Sequence, residues 1–137
     1  MKTIRFSGII FICMLFLSVS CKECSALESV NTITINNNSD TPLVMVVSKV
    51  YPDTLLPIMP DHIAGIRPHG STFFDTKEEW ADFFADLPAD TLSVFFIKGT
   101  VFDSLSMETI RNQNLVLKRK DLSFKEVLDS NFIIAYP

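Results

Sequence analysis

The sequence predicts a mainly β domain, an antiparallel β-sandwich of immunoglobulin-like or transthyretin-like type with two or three short helices. Two observations carry this. Short runs rich in β-branched and aromatic residues recur between clusters of Asn, Asp, Gly and Pro, as strands do between turns. Helical spacing is confined to a few short stretches, two of which open on a capping pattern. The alternative arrangement for the same elements is an α+β sheet with helices on one face.

Taken in order, residues 32–35 (Thr-Ile-Thr-Ile) alternate polar and apolar and stop at Asn36-Asn37-Asn38-Ser39-Asp40, a strong turn signal. Residues 43–47 (Leu-Val-Met-Val-Val) follow, so the two runs are expected to form a hairpin. Residues 51–61 contain Pro52, Pro57 and Pro60, a density that excludes central-strand pairing and predicts a long ordered loop or an edge. Residues 63–66 and 71–74 read as short strands on either side of the Pro68-His69-Gly70 turn. Thr76 and Glu79 have capping-box spacing, and Trp80, Phe83, Phe84 and Leu87 then recur at helical intervals until Pro88. That stripe is expected to pack on a sheet. Residues 91–97 are the best central strand, because both faces turn apolar at Phe95-Phe96-Ile97. Residues 104–111 read as a short helix or excursion, and 115–117 as a strand. Ser123 and Glu126 form a second capping pattern, opening a helix that ends near Ser130. Residues 132–136 close the chain as a strand.

The first thirty residues are read differently. Lys2 and Arg5 precede an unbroken apolar run, residues 9–17, followed by Ser18-Val19-Ser20-Cys21. A positive segment, a short apolar run and small residues make a secretory signal. A membrane-spanning helix needs roughly 20 apolar residues, and Ser18, Ser20 and Lys22 end this run too early. Two cleavage readings follow. Ser18 and Ser20 fit ordinary signal cleavage, whereas a cysteine directly behind small residues fits a bacterial lipobox, with Cys21 bearing diacylglycerol as the first mature residue. Here Leu17 stands four positions before Cys21 and Ser18 holds the place usually taken by Leu. Lipidation is the favoured reading, and it divides the chain into signal peptide 1–20, tether 21–30 and a single β-rich domain 31–137. Two or more acyl chains, at ~0.8 kcal/mol per buried methylene, anchor a protein stably where one binds only marginally.

Lipidation also settles the cysteines. Cys13 leaves with the signal, Cys21 loses its thiol, and Cys24 is left alone, so neither a disulfide nor a zinc site can be assembled. Without lipidation, a Cys21–Cys24 bridge is the natural pairing in an oxidising compartment.

The 117 residues from Cys21 onward suffice for one core. They hold all 16 acidic residues and 10 of the 12 basic ones, Lys2 and Arg5 being removed, which gives a formal charge of −6. An acidic domain without a basic face is not expected to bind nucleic acid. Lys118-Arg119-Lys120, the one basic run, reads as a solvated strand face. His62 and His69 lie near Asp53, Asp61 and Asp75 in sequence, but a metal site needs at least three converging ligands and nothing in the spacing fixes them. The chain has four glycines and no G-x-S-x-G, H-E-x-x-H, Walker or G-x-G-x-x-G pattern. No cofactor and no enzymatic activity are expected. A small envelope hydrolase or metal-dependent enzyme built on Asp53, His62 and His69 is the least favoured alternative.

Residues 115–137 (LVLKRKDLSFKEVLDSNFIIAYP), with NNNSDTPLVMVVSKVYPDTLL and DTLSVFFI, resemble a family of small uncharacterised lipoproteins of gut Bacteroidales. The shared order is a signal with its lipid cysteine, an N-x-S-D turn, a Y-P-D-T loop, a D-T-L-x-x-F strand, L-K-R-x-D-L-S and a final Y-P. Lys120 and Phe132 stand where that family tends to have Tyr and Trp. The resemblance implies an outer-membrane lipoprotein, on the periplasmic or surface face, and implies no activity or ligand. It also implies possible O-glycosylation at Asp-Ser/Thr followed by a methyl-bearing residue, which marks Thr54, Thr91 and Ser104; a turn-initiating Asp explains each motif as well.

The functional expectation is therefore a lipid-anchored binding or interaction module that meets an envelope protein or a glycan. Its expected contact surface is the proline-rich loop, through Tyr51, Leu55, Leu56, Ile58 and Met59, because long ordered loops often carry function; the other reading, a loop that buries those apolar residues over a sheet edge, is favoured on burial grounds. A subunit of an outer-membrane or fimbrial complex is the alternative.

Overall fold

The computed structural model describes residues 31–137. Cys21, Cys24, the signal and the tether lie outside the described residues.

Among the described residues seven strands form two sheets. They are β1 (Asn31–Asn37), β2 (Leu43–Ser48), β3 (His62–Ile66), β4 (Ser71–Thr76), β5 (Thr91–Lys98), β6 (Val116–Ser123) and β7 (Ile133–Tyr136). Four short helices connect them: α1 (Trp80–Ala85), α2 (Gly99–Ser104), α3 (Met107–Asn112) and α4 (Phe124–Asp129). The sheet orders are β4-β1-β7 and β3-β2-β5-β6. The mainly β class is as expected, in an arrangement compatible with a sandwich, although with one helix more than anticipated. Pairing is antiparallel throughout except between β1 and β7, which run parallel.

Inward residues of both sheets meet in one apolar core. Ile33, Ile35, Phe74 and Ile134 come from the three-stranded sheet, and Leu43, Met45, Leu92, Val94 and Phe96 from the four-stranded one. Trp80, Phe83, Phe84 and Leu87 join this core as the helical spacing anticipated, with Trp80 edge-on to Phe83 at 5.3 Å. Burial of each such side chain stabilises the fold by ~1.5–3 kcal/mol.

The four-stranded sheet is covered on its other face too. Val44, Val46, Phe95 and Ile97 alternate with the first set and pack against Ile110 of α3 and Leu56 of the 51–60 loop. Period-two alternation thus explains why all six positions from Leu92 to Ile97 are buried. Gly99 starts α2 where its Cα passes the chain at Pro42: a Cβ there would lie 3.1 Å from the Pro42 carbonyl oxygen, and Gly99 N–H donates to that same oxygen at 2.8 Å.

Two local expectations are corrected. β1 and β2 do not form a hairpin; they belong to different sheets, and the asparagine-rich turn carries the chain from one to the other. Asn37 is the reason. Its buried side chain donates to the Thr41 and Arg67 carbonyls at 2.7 and 3.0 Å and accepts from Ser39 N–H and Oγ, fixing a crossover in place of a two-strand turn. Thr76 does not cap α1. It ends β4 opposite Asn31, its hydroxyl accepts from Glu78 N–H, and Asn31 Nδ2 donates to the Glu78 carbonyl, so the chain bends through residues 77–78 and the helix starts only at Trp80.

Candidate functional site

β2 ends at Ser48 and β3 begins at His62, and the proline-rich segment between them is the extended loop anticipated from its prolines. Its root is closed by Asp61, whose N–H donates to the Val47 carbonyl while its carboxylate accepts from Lys49 N–H. Asp53 Oδ1 accepts from Leu55 N–H at 3.0 Å, a local turn of the kind aspartate favours.

What holds the loop against the sheet is Arg119 on β6, on the outward face opposite Phe95. Its guanidinium donates through Nη1 to the Asp53 carbonyl at 2.9 Å, through Nη2 to Ser93 Oγ at 3.2 Å and through Nε to Asp121 Oδ1 at 2.6 Å. Ser93 Oγ in turn donates to Asp121 Oδ1 at 2.7 Å, which closes a triangle of matched donors and acceptors. The guanidinium carbon lies 5.4 Å from the Phe95 ring centre and 6.0 Å from that of Tyr51, and Arg111 approaches the Asp53 carboxylate at 3.8 Å. This corrects the reading of Lys118-Arg119-Lys120 as a solvated face for Arg119 and Lys120, whereas Lys118 is exposed as expected. Lys120, on the inward face, donates from Nζ to the Ala135 carbonyl of β7 at 2.5 Å and bridges the two sheets. Burial, and then the neighbouring Lys118, lower its pKa below the usual lysine range.

The five residues expected to form a contact surface separate. Leu56 is 2% exposed and belongs to the outer core, so it serves as the loop's anchor and is withdrawn from that surface. Tyr51 is half-buried beside Arg119. Leu55, Ile58 and Met59 face outward at 47%, 56% and 88% exposure, and Val50, which the sequence did not single out, joins them at 60%. The residues that fasten the loop and that the sequence does not point to are Arg119, Ser93 and Asp121. Ser93 was the available signal, a lone hydroxyl inside an otherwise apolar central strand that needs a buried partner.

The histidines are not brought together with Asp53. His62 opens β3 and packs on Phe74 with ring centres 5.5 Å apart, its buried Nε2 without a hydrogen-bond partner among the described residues. His69 lies beyond the other end of β3 and pairs with Asp40 at 2.8 Å. No three His, Cys, Asp or Glu converge on a metal position among the described residues. The three Asp-Ser/Thr motifs also differ. Thr91 and Ser104 donate their hydroxyls to the Ala89 and Thr100 carbonyls, both at 2.7 Å, whereas Thr54 is exposed on the loop.

Among the described residues no helix is long and apolar enough to cross a membrane. Comparison with models of known protein families, with curated proteins and with solved structures gives no match.

Proposed function

We propose that this protein is a lipid-anchored component of the cell envelope, held to the outer membrane through Cys21, and that it works without catalysis as a binding module whose contact element is the 51–60 loop. The loop is the observation that carries the reading. Leu56 and the Asp53 carbonyl tie it to the sheet, while Val50, Leu55, Ile58 and Met59 are presented to solvent. Ordering such a surface is already accomplished on folding, so little further entropy is lost on contact. The Arg119 cluster serves this arrangement, since its polar atoms are matched to one another and to the loop backbone. Support for the anchor comes from the order of cations, apolar run, small residues and Cys21, and from the likeness to Bacteroidales lipoproteins.

Two measurements test the reading. Intact mass of the mature protein from native membranes is expected to show a diacylglycerol-modified Cys21; an unmodified Cys21 bridged to Cys24 overturns the anchor. In proximity labelling of intact cells, Leu55→Ser with Ile58→Ser is expected to leave the fold intact and change the set of labelled neighbours. A folded double variant with the parent's neighbours removes the loop as a contact element for proteins.

A further inference from the structure

We propose that the surface met by the 51–60 loop is the lipid bilayer itself, with Val50, Leu55, Ile58 and Met59 entering the boundary between headgroups and acyl chains. This deepens the proposed function and rests on it for the anchor that keeps the domain at a membrane.

The loop's composition suits that boundary. Four large apolar side chains are exposed within residues 50–59, and the only charged residue in residues 50–60 is Asp53, whose carboxylate faces Arg111 at 3.8 Å. Its stiffness suits it as well: Leu56 and the Arg119–Asp53 bond hold the backbone, so insertion does not require the loop to order first.

The placement of the loop selects the occupant. His62, at the loop's far root, packs on Phe74, and Phe74 is the register partner of Ile33, two residues into β1 from Asn31. Asn37, Tyr136 and Gly70 gather at the opposite end of the three-stranded sheet, where Asn37 N–H bonds the Gly70 carbonyl and Asn38 N–H that of Tyr136. The two roots of the loop therefore lie at the end of the molecule where β1 begins, and its body folds back over the outer face of the four-stranded sheet, with Leu56 beside Val46 and Phe95 and Asp53 on Arg119. The nine residues from 22 to 30 reach at most ~30 Å when fully extended. Within that reach the outer face that carries the apolar loop can lie against the surface that holds an acyl anchor on Cys21.

The test uses residues 21–137 with Cys21→Ser and an N-terminal hexahistidine tag, held by nickel-chelating lipid on phosphatidylethanolamine/phosphatidylglycerol vesicles. This supplies a tether independent of acylation. Met59→Trp reports contact, the native Trp80 being buried, and Val50→Trp is a second reporter should the first variant fold poorly. With bromine-labelled acyl chains, the introduced indole is expected to lose roughly half of its emission or more, as a side chain seated ~5–10 Å into the boundary does. Adding Leu55→Ser and Ile58→Ser is expected to abolish the quenching at an unchanged urea midpoint. Equal emission on brominated and ordinary vesicles, with the protein still vesicle-bound, overturns the proposal. So does a protein cross-linked through position 59 in native membranes when lipid quenching is absent. An unmodified Cys21 in the native protein overturns the anchor alone, because the vesicle result does not depend on it.

Discussion

Leu55 and Leu56 are identical in type and adjacent in sequence, yet one faces water and the other the outer core. Nothing local distinguishes them, because the distinction is made by Arg119, which is far away in sequence and fastens the loop at Asp53. Leu56→Ala is expected to cost about 2–5 kcal/mol, the usual range for emptying a packed leucine site, while Leu55→Ser should fall within about 0.5 kcal/mol of the parent. Urea denaturation of the two variants checks this, and equal losses would mean that the loop does not pack as described. Arg119 itself reads as surface charge until Ser93 and the Asp53 carbonyl are known to converge on it. Replacing it with Met keeps the stem and removes the donors, leaving Ser93 and Asp121 to satisfy each other. About 1–3 kcal/mol should be lost, with faster amide exchange at Leu55 as the specific sign that the loop has come loose.

The elements were legible where the deciding contacts are local. Ser123 and Glu126 form the anticipated capping box, Ser123 Oγ accepting from Glu126 N–H while Ser123 N–H donates to the carboxylate at 2.8 Å. Thr76 and Glu79 have the same spacing and form none, because the strand register with Asn31 claims Thr76 first. The hydrogen bonds from Ser123 hold the Glu126 carboxyl below the ordinary glutamate value of 4.5. A carboxyl lowered in the folded state favours folding in its charged form. Its contribution is complete above 4.5 and fades as the pH falls through the lowered value. The urea midpoint of the parent should therefore drop more steeply than that of Glu126→Gln between about pH 5 and pH 3; parallel curves would show that the box adds nothing. The crossover after β1 is not legible in the sequence, because an asparagine cluster signals a turn without saying which sheet receives the chain. Asn37 decides it by bonding both intersheet connections, at Thr41 and at Arg67. Asn37→Ala should cost about 1–3 kcal/mol through those unpaired carbonyls, measured by thermal or urea unfolding.

For the whole molecule, the mainly β class followed from strand-like runs, and the buried central strand from its two apolar faces. The sheet assignments did not follow, since they depend on pairings between residues dozens of positions apart. The two apolar cores share β2 and β5, whose alternate side chains enter one core and then the other. They should consequently unfold together. Ile110→Ala in the outer core and Ile134→Ala in the inner one are each expected to lower the midpoint of a single urea transition, by about 2–5 kcal/mol in stability and without altering its slope. Two separable transitions would show the cores to be independent. The parallel pairing of β1 with β7 has a different consequence, one of timing. β1 is the first described strand to leave the ribosome and β7 the last, and Thr34 N–H waits for the carbonyl of Phe132. The three-stranded sheet therefore closes only after β7 has emerged, and one edge of β1 stays unpaired while everything between them is made.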